Sequence, residues 1–252
     1  MVTISLVGIA DNLTRVLERI SRAAMRAGRQ PEEITLVAIS KSFPFEAIRE
    51  AHAAGVRHFG ENRVQEWESK RPQLADLDGT WHLVGHLQSN KAARAARLFH
   101  TIDSVDSLLL AQRLDRALNE QSSRFVPVVG VRHGVPLQTA PLPVLIEVRL
   151  DPGATKTGVS GTDLPTLADG ILALPNLDLR GLMGIPPFRE DLEHVRPNFR
   201  RLRELRDSLR EHTGQLLPVL SMGMSHDFEV AIEEGATEIR LGTALFGTRS
   251  KA

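Results

Sequence analysis

The sequence has no cysteine and no tyrosine among its 252 residues. The first absence excludes a disulfide framework, a thiolate nucleophile, a cysteine-ligated zinc and an iron–sulfur cluster. The second excludes any mechanism in which this chain supplies a phenol base. Net charge is missing too, because 31 Lys plus Arg balance 31 Asp plus Glu, so nothing draws the chain generally toward nucleic acid or anionic lipid. No stretch approaches the roughly 18 uninterrupted apolar residues of a spanning helix. Met1 to Ala10 carries no basic segment of secretory type and meets Asp11 before an apolar core of signal length can build. A cytoplasmic protein without nucleic-acid or membrane partners is expected. Lysine is scarce, with Lys41, Lys70, Lys91, Lys156 and Lys251 against 26 arginines, so amine chemistry has few candidates.

What is present is an ordinary globular composition, 42% hydrophobic and 25% charged. Leu13, Val16, Leu17, Ile20 and Ala24 recur at helical spacing with arginines and Glu18 between them, which predicts an amphipathic helix near 11–27, ended by Gly28. Ile34 to Ile39 is a short apolar run of the kind that forms a strand buried on both faces. Further strand patterns follow at Val56–Phe59, Trp81–Val84, His100–Ile102, Val144–Leu150, Leu177–Met183, Val219–Leu220 and Glu238–Leu241. Helical patterns fill the gaps near 44–54, 62–70, 89–97, 106–120, 163–174, 190–212 and 225–234. Eight strands alternating with helices predict a parallel (β/α)8 TIM barrel, an α/β fold, in one domain over 1–252. An open doubly wound sheet competes with it, but no second zone of composition marks another domain. Gln121 to Pro143 breaks the rhythm and reads as a long loop.

Lys41 ends a buried strand and would point from the C-terminal mouth of a barrel, where such folds place their sites. A desolvated amine there has a lowered pKa and can condense with an aldehyde; the plain alternative is a lysine that snorkels at a strand end. Leu220 to Asp227 and Arg240 to Gly247 follow the last two strands, where barrels often bind phosphate through backbone N–H groups, and Ser225 could cap the helix after it. The plain alternative is that Gly223, Gly242 and Gly247 only turn corners. Amine at one wall and phosphate at the other together describe a phosphorylated aldehyde.

Several segments, in order along the chain, carry a resemblance: Val37–Lys41, Phe59–Glu66 (Phe-Gly-Glu-Asn-Arg-Val-Gln-Glu), Trp81–Lys91 (Trp-His-Leu-Val-Gly-His-Leu-Gln-Ser-Asn-Lys), Lys156–Gly158, Arg180–Met183 and the whole of Leu220–Gly247. Together they resemble the YggS/PROSC family of pyridoxal phosphate homeostasis proteins, built on a barrel of the alanine racemase N-terminal type. The resemblance implies that Lys41 carries pyridoxal 5'-phosphate as a covalent aldimine. It also implies that Ser225, Gly242 and Thr243 hold the phosphate, and that Arg240 faces the pyridine nitrogen. A guanidinium there disfavours protonation of the ring and weakens it as an electron sink. Asn62, His82 and Gln88 would line the pocket from loops at the same mouth. Many members have Tyr where this chain has Arg63, a second lysine where it has Phe43, and Asn where it has Arg149.

The expected function is binding, buffering and delivery of the cofactor by a monomer, with pyridoxal-phosphate-dependent apoenzymes as partners and no catalytic residue. Lys156 could receive the aldehyde during transfer, or serve only as a counter-charge. A true enzyme using Lys41 as single base, a racemase or lyase, is the first alternative; a cofactor-free aldolase acting on a phosphosugar is the second. His82 and His86 have the spacing of zinc ligands on a helix, but their flank reads as strand, so no metal is expected. The arginine run Arg200 to Arg210, interleaved with acids, reads as a solvated helix with i,i+4 pairs.

Overall fold

The fold is given by a computed structural model, which describes residues 8–123, 140–150 and 157–248. Most of the expected 121–143 loop, and Lys156, fall outside these. Eight parallel strands close into a barrel in the order β1 to β8. They are β1 (Thr35–Ile39), β2 (His58–Glu61), β3 (Thr80–Leu83), β4 (Thr101–Val105), β5 (Leu142–Val148), β6 (Leu177–Gly184), β7 (Val219–Ser221) and β8 (Glu238–Leu241). Closure comes from β8 pairing β1, with Thr35 opposite Glu238 and Ala38 opposite Leu241. This is the TIM-barrel arrangement that the alternation of strand and helix patterns predicts. Leu142 and Pro143, expected in a loop, already belong to β5.

Around the barrel lie α1 (Ile9–Arg26), α2 (Phe45–Ala53), α3 (Val64–Lys70), α4 (Ala92–Leu98), α5 (Leu108–Ser123), α6 (Leu164–Leu172), α7 (Arg196–Thr213), α8 (Phe228–Glu233) and α9 (Thr243–Phe246). Strand residues alternate between the two faces with period two. Phe59, Trp81, Leu83, Ile102, Ile146 and Leu182 belong to the large core under the helices, whereas Val37, Ile39 and Val84 form a separate small apolar cluster. Gly60 is required beside that cluster, since a Cβ there would lie 2.6 Å from Ile39 Cδ1. At Gly181, φ is +153° and a Cβ would fall 1.8 Å from the Val219 carbonyl oxygen, so only glycine lets β6 approach β7 there.

Helix α1 buries Ile9, Leu13, Val16, Ile20, Ala23 and Ala24. Leu17, expected on that face, is 49% exposed instead, because the buried stripe is drawn by the i, i+3, i+7 series that excludes it. Arg19 fastens α1 to α8: it makes hydrogen bonds of 3.1 and 2.8 Å to Glu229 and sits 4.4 Å above the Phe228 ring. Both partners of the ion pair are partly solvated, so Arg19→Ala should cost about 1 kcal/mol in urea unfolding. A loss above about 2.5 kcal/mol would mean that α1 docking depends on this one contact.

The expected i,i+4 pairs along α7 are replaced by bonds to the neighbouring helix. Arg196, Arg200 and Arg203 all reach Glu234, at 3.3, 3.1 and 3.1 Å. That arginine face is therefore turned to α8 and the turn after it, not only to solvent. Helix α7 also begins later than expected, at Arg196, where Pro197 fits the first turn.

Candidate functional site

Strand β1 delivers Lys41 to the C-terminal mouth, in a turn just beyond buried Ser40. The turn is held by an acidic and basic cluster behind it. Ser40 Oγ donates to Glu61 Oε1 at 2.8 Å, and Lys70 Nζ donates to Ser40 O, Glu61 and Glu66 at 2.9, 2.8 and 2.7 Å. Ser42 adopts φ +64°, an unfavourable region for a residue with a side chain, and its N–H donates to Glu66. Burial raises the Glu61 carboxyl above its usual range against the pull of Lys70. For Glu66 burial acts in the same sense, but Lys70 and the Ser42 N–H reverse it and the net shift is downward. A fixed anion thus meets the strained turn that presents Lys41.

Opposite this turn lie the loops after β7 and β8. The helix expected to begin at Ser225 begins at Phe228, with Asp227 at its cap position. Ser225 does not cap it. Its hydroxyl instead accepts from the Ala244 N–H at 3.1 Å, tying the loop after β7 to the first turn of α9. Gly242 and Thr243 stand at that junction, so the three expected phosphate residues are brought together, and Thr243, opening a helix, has no acceptor for its N–H within it. Asp227 Oδ1 accepts from Met224 N–H at 2.7 Å and shapes the same loop. Phe43 stacks on Phe246 with ring centroids 4.8 Å apart, closing β1's loop onto α9 by apolar contact.

Arg240 lies inside the barrel, 4% exposed, with Nη1 donating to Ser221 Oγ at 2.6 Å and Nη2 to the Gly184 carbonyl at 2.9 Å. Burial lowers its pKa, opposed by Glu238, Asp103, Glu147 and Asp227. Asn62 stands on the loop after β2, pressed against Gly85, where a Cβ would lie 2.3 Å from Asn62 O. Gln88 is exposed on the rim of the loop after β3. Arg149, at the end of β5, is exposed too.

His82 is not on a mouth loop. It belongs to β3 and is buried inside the barrel, because the period of two that points Trp81 and Leu83 at the helices points His82 inward. There Nδ1 donates to Asp103 Oδ2 at 2.9 Å, and Nε2 lies 3.0 Å from His58 Nδ1. Thr101 Oγ1 donates to the other Asp103 oxygen at 2.7 Å, and Glu238 Oε2 is 3.8 Å from His82. One donor atom each from His82, Asp103 and Glu238 falls within 4.8 Å of the others. His86, four residues on, is half exposed and pairs with Asp106 at 3.2 Å, so the two histidines face different surroundings.

Glu147 is a further buried acid that strand patterning alone does not reveal. Thr157 Oγ1 donates to its Oε1 at 2.6 Å, while Oε2 is buried without a partner among the described residues. Burial raises its pKa, and Arg240 is among the charges that act on it.

Residues 12–250 match the family described as alanine racemase, N-terminal domain. The pyridoxal phosphate homeostasis protein of Pseudomonas aeruginosa is 46% identical over 241 residues, spanning 96% of each chain. The chain belongs to this family. A solved relative, PipY of Synechococcus elongatus with pyridoxal phosphate bound, superposes with a TM-score of 0.78 at 39% identity, covering 95% of this chain and 100% of that one. Alanine racemase of Clostridium difficile has a TM-score of 0.69 at 14% identity over 96% of this chain and 57% of that one, which shows the shared barrel alone.

Proposed function

We propose that this family member binds pyridoxal 5'-phosphate at the C-terminal mouth of its barrel and serves its homeostasis as a carrier and buffer rather than as a catalyst. The observation that carries the reading is the pairing of Lys41, at the end of β1, with Ser225, Gly242 and Thr243, gathered across the mouth by the Ser225 to Ala244 bond. It is supported by 46% identity to a protein named for that role and by a cofactor-bound relative. When bound, the cofactor supplies an aldehyde that a lysine amine holds as a Schiff base and a ring that withdraws electrons.

The residues present fit such a group. The Ser225 and Thr243 hydroxyls and the backbone at Gly242 offer donors to a phosphate, Asn62 lines the mouth, and Glu147 Oε2 is a buried polar atom that has no partner among the described residues. Lys41 Nζ is the group that condenses. Arg240, held by Ser221 and Gly184, would face the ring nitrogen, as the family resemblance implies, and its positive charge would then disfavour protonation there. His82 acts from behind, inside the barrel, rather than by lining the mouth. With no tyrosine in the chain, a two-base racemisation through a phenol cannot operate. The same reading makes residues 1–252 one cytoplasmic, monomeric unit that hands the cofactor to apoenzymes dependent on it.

The purified protein should be yellow, or become so with pyridoxal phosphate, with a visible band that borohydride abolishes and a modified peptide that maps to Lys41. Incubation with L- and D-amino acids should give no product above that of free pyridoxal phosphate. A protein that stays colourless after incubation contradicts the reading.

A further inference from the structure

The loops after β2 and β3 enclose a second cavity, of about 330 Å³, on the outer rim of the mouth. Its floor is apolar, from Leu83 and Leu87, both buried. Its walls carry three basic side chains, Arg63, His86 and Lys91. His86 is answered by Asp106 at 3.2 Å. Arg63 and Lys91 make no ion pair or side-chain hydrogen bond among the described residues. The acid beside Arg63, Glu66, already accepts from Lys70 and from the Ser42 N–H.

We propose that this cavity, which borders the cofactor mouth through Asn62 and Gln88, binds a small phosphate monoester in addition to the cofactor proposed at Lys41. Two cations of different form line one small space: a planar guanidinium fork that matches two phosphate oxygens, and a compact ammonium. The side-chain amides of Gln65 and Gln88 supply neutral donors for a third oxygen. The volume exceeds what inorganic phosphate fills and meets the lower end of small-ligand pockets, about 300 Å³, so an organic body can rest on the leucine floor.

The test uses holo protein reduced with borohydride, so that Lys41 is blocked, titrated calorimetrically with pyridoxamine 5'-phosphate in one arm and glycerol 3-phosphate in the other. One saturable equivalent is expected, weakening as salt rises. Arg63→Ala and Lys91→Ala should each weaken it by about tenfold, the size of one charge-assisted hydrogen bond, while keeping the reducible band at Lys41. Tighter binding of the pyridoxamine ester would identify the occupant as a second cofactor-like molecule, and equal binding would identify phosphate monoesters at large; both support the site. Absence of saturable binding, or binding unchanged in both variants, overturns it. If the protein takes no cofactor at Lys41, the same titration is read on the protein as purified, so a failure of the carrier reading is told apart from a failure of this one.

Discussion

Lys41→Ala should abolish the reducible visible band and the modified peptide altogether while leaving the fold intact. Among the described lysines no substitute is placed to take over. Lys70 Nζ is held by Ser40 O, Glu61 and Glu66, and Lys91 lies in the rim cavity after β3. The residues proposed to hold the phosphate do not depend on Lys41, because Ser225 and Ala244 are bonded to each other across the opposite wall. Pyridoxine 5'-phosphate, which lacks the aldehyde, should therefore bind wild type and Lys41→Ala with affinities within about threefold of each other. Lys41 sits half-buried in a turn rather than in the core, so the thermal midpoint should move by less than about 2 °C. A band that persists in the variant and maps to another lysine would contradict the assignment of Lys41. A loss of pyridoxine phosphate binding equal to the loss of the band would mean that the phosphate loops are organised by the lysine.

The barrel was legible because each strand is a short apolar run with a helical pattern after it. The boundaries were less so. His58–Glu61 was read two residues early, since buried Val56 extends the apolar run before pairing begins. Lys41 was legible for the same reason as the fold: the last residues of an apolar strand must emerge at one end of the barrel. The two glycine-rich loops after β7 and β8 were legible from their position, whereas Ser225, Gly242 and Thr243 were singled out only by the family resemblance, and the bond that joins the loops, from Ala244 N–H to Ser225 Oγ, spans 19 residues and has no local signature.

The polar interior was not legible. His58, His82, Asp103, Glu238 and Arg240 lie on β2, β3, β4 and β8, and only closure of the barrel brings them together. A signal was available in part: Thr-Ile-Asp and Glu-Ile-Arg place polar residues two apart around a buried apolar one, and Trp-His-Leu sets His82 between two buried apolar residues. Barrels usually fill this space with branched apolar layers. Polar residues at period two in two strands therefore point to an interior that carries charge, and His82 would have been placed there rather than on a loop.

That interior predicts how stability depends on pH, through Asp103. Burial pushes the His82 imidazole toward its neutral form, but Asp103 and Glu238 outweigh it and the net pKa is raised. Charged His82 can donate from Nδ1 to Asp103 and from Nε2 to His58. That arrangement requires a neutral His58, whose pKa burial and the neighbouring His82 lower. For a group raised on folding, the stabilisation is complete below the unfolded value, about 6.5 for histidine, and is lost as pH rises through the folded value. Glu238, raised chiefly by burial and then by Asp103, acts in the same direction over a window that opens lower. His58 acts oppositely, since its lowered pKa withdraws stability as pH falls. Asp103→Asn removes the main countercharge of His82 while keeping the shape that Thr101 bonds, so it should destabilise the protein by about 3 kcal/mol at pH near 6. The gap between wild type and variant, measured by urea unfolding across about pH 5.5 to 9, should narrow as His82 loses its proton, because only the charged imidazole needs the carboxylate. His58 titrates in both proteins and largely cancels in that difference. A gap that stays constant across the range would mean that His82 is neutral throughout and that Asp103 serves only as a hydrogen-bond acceptor.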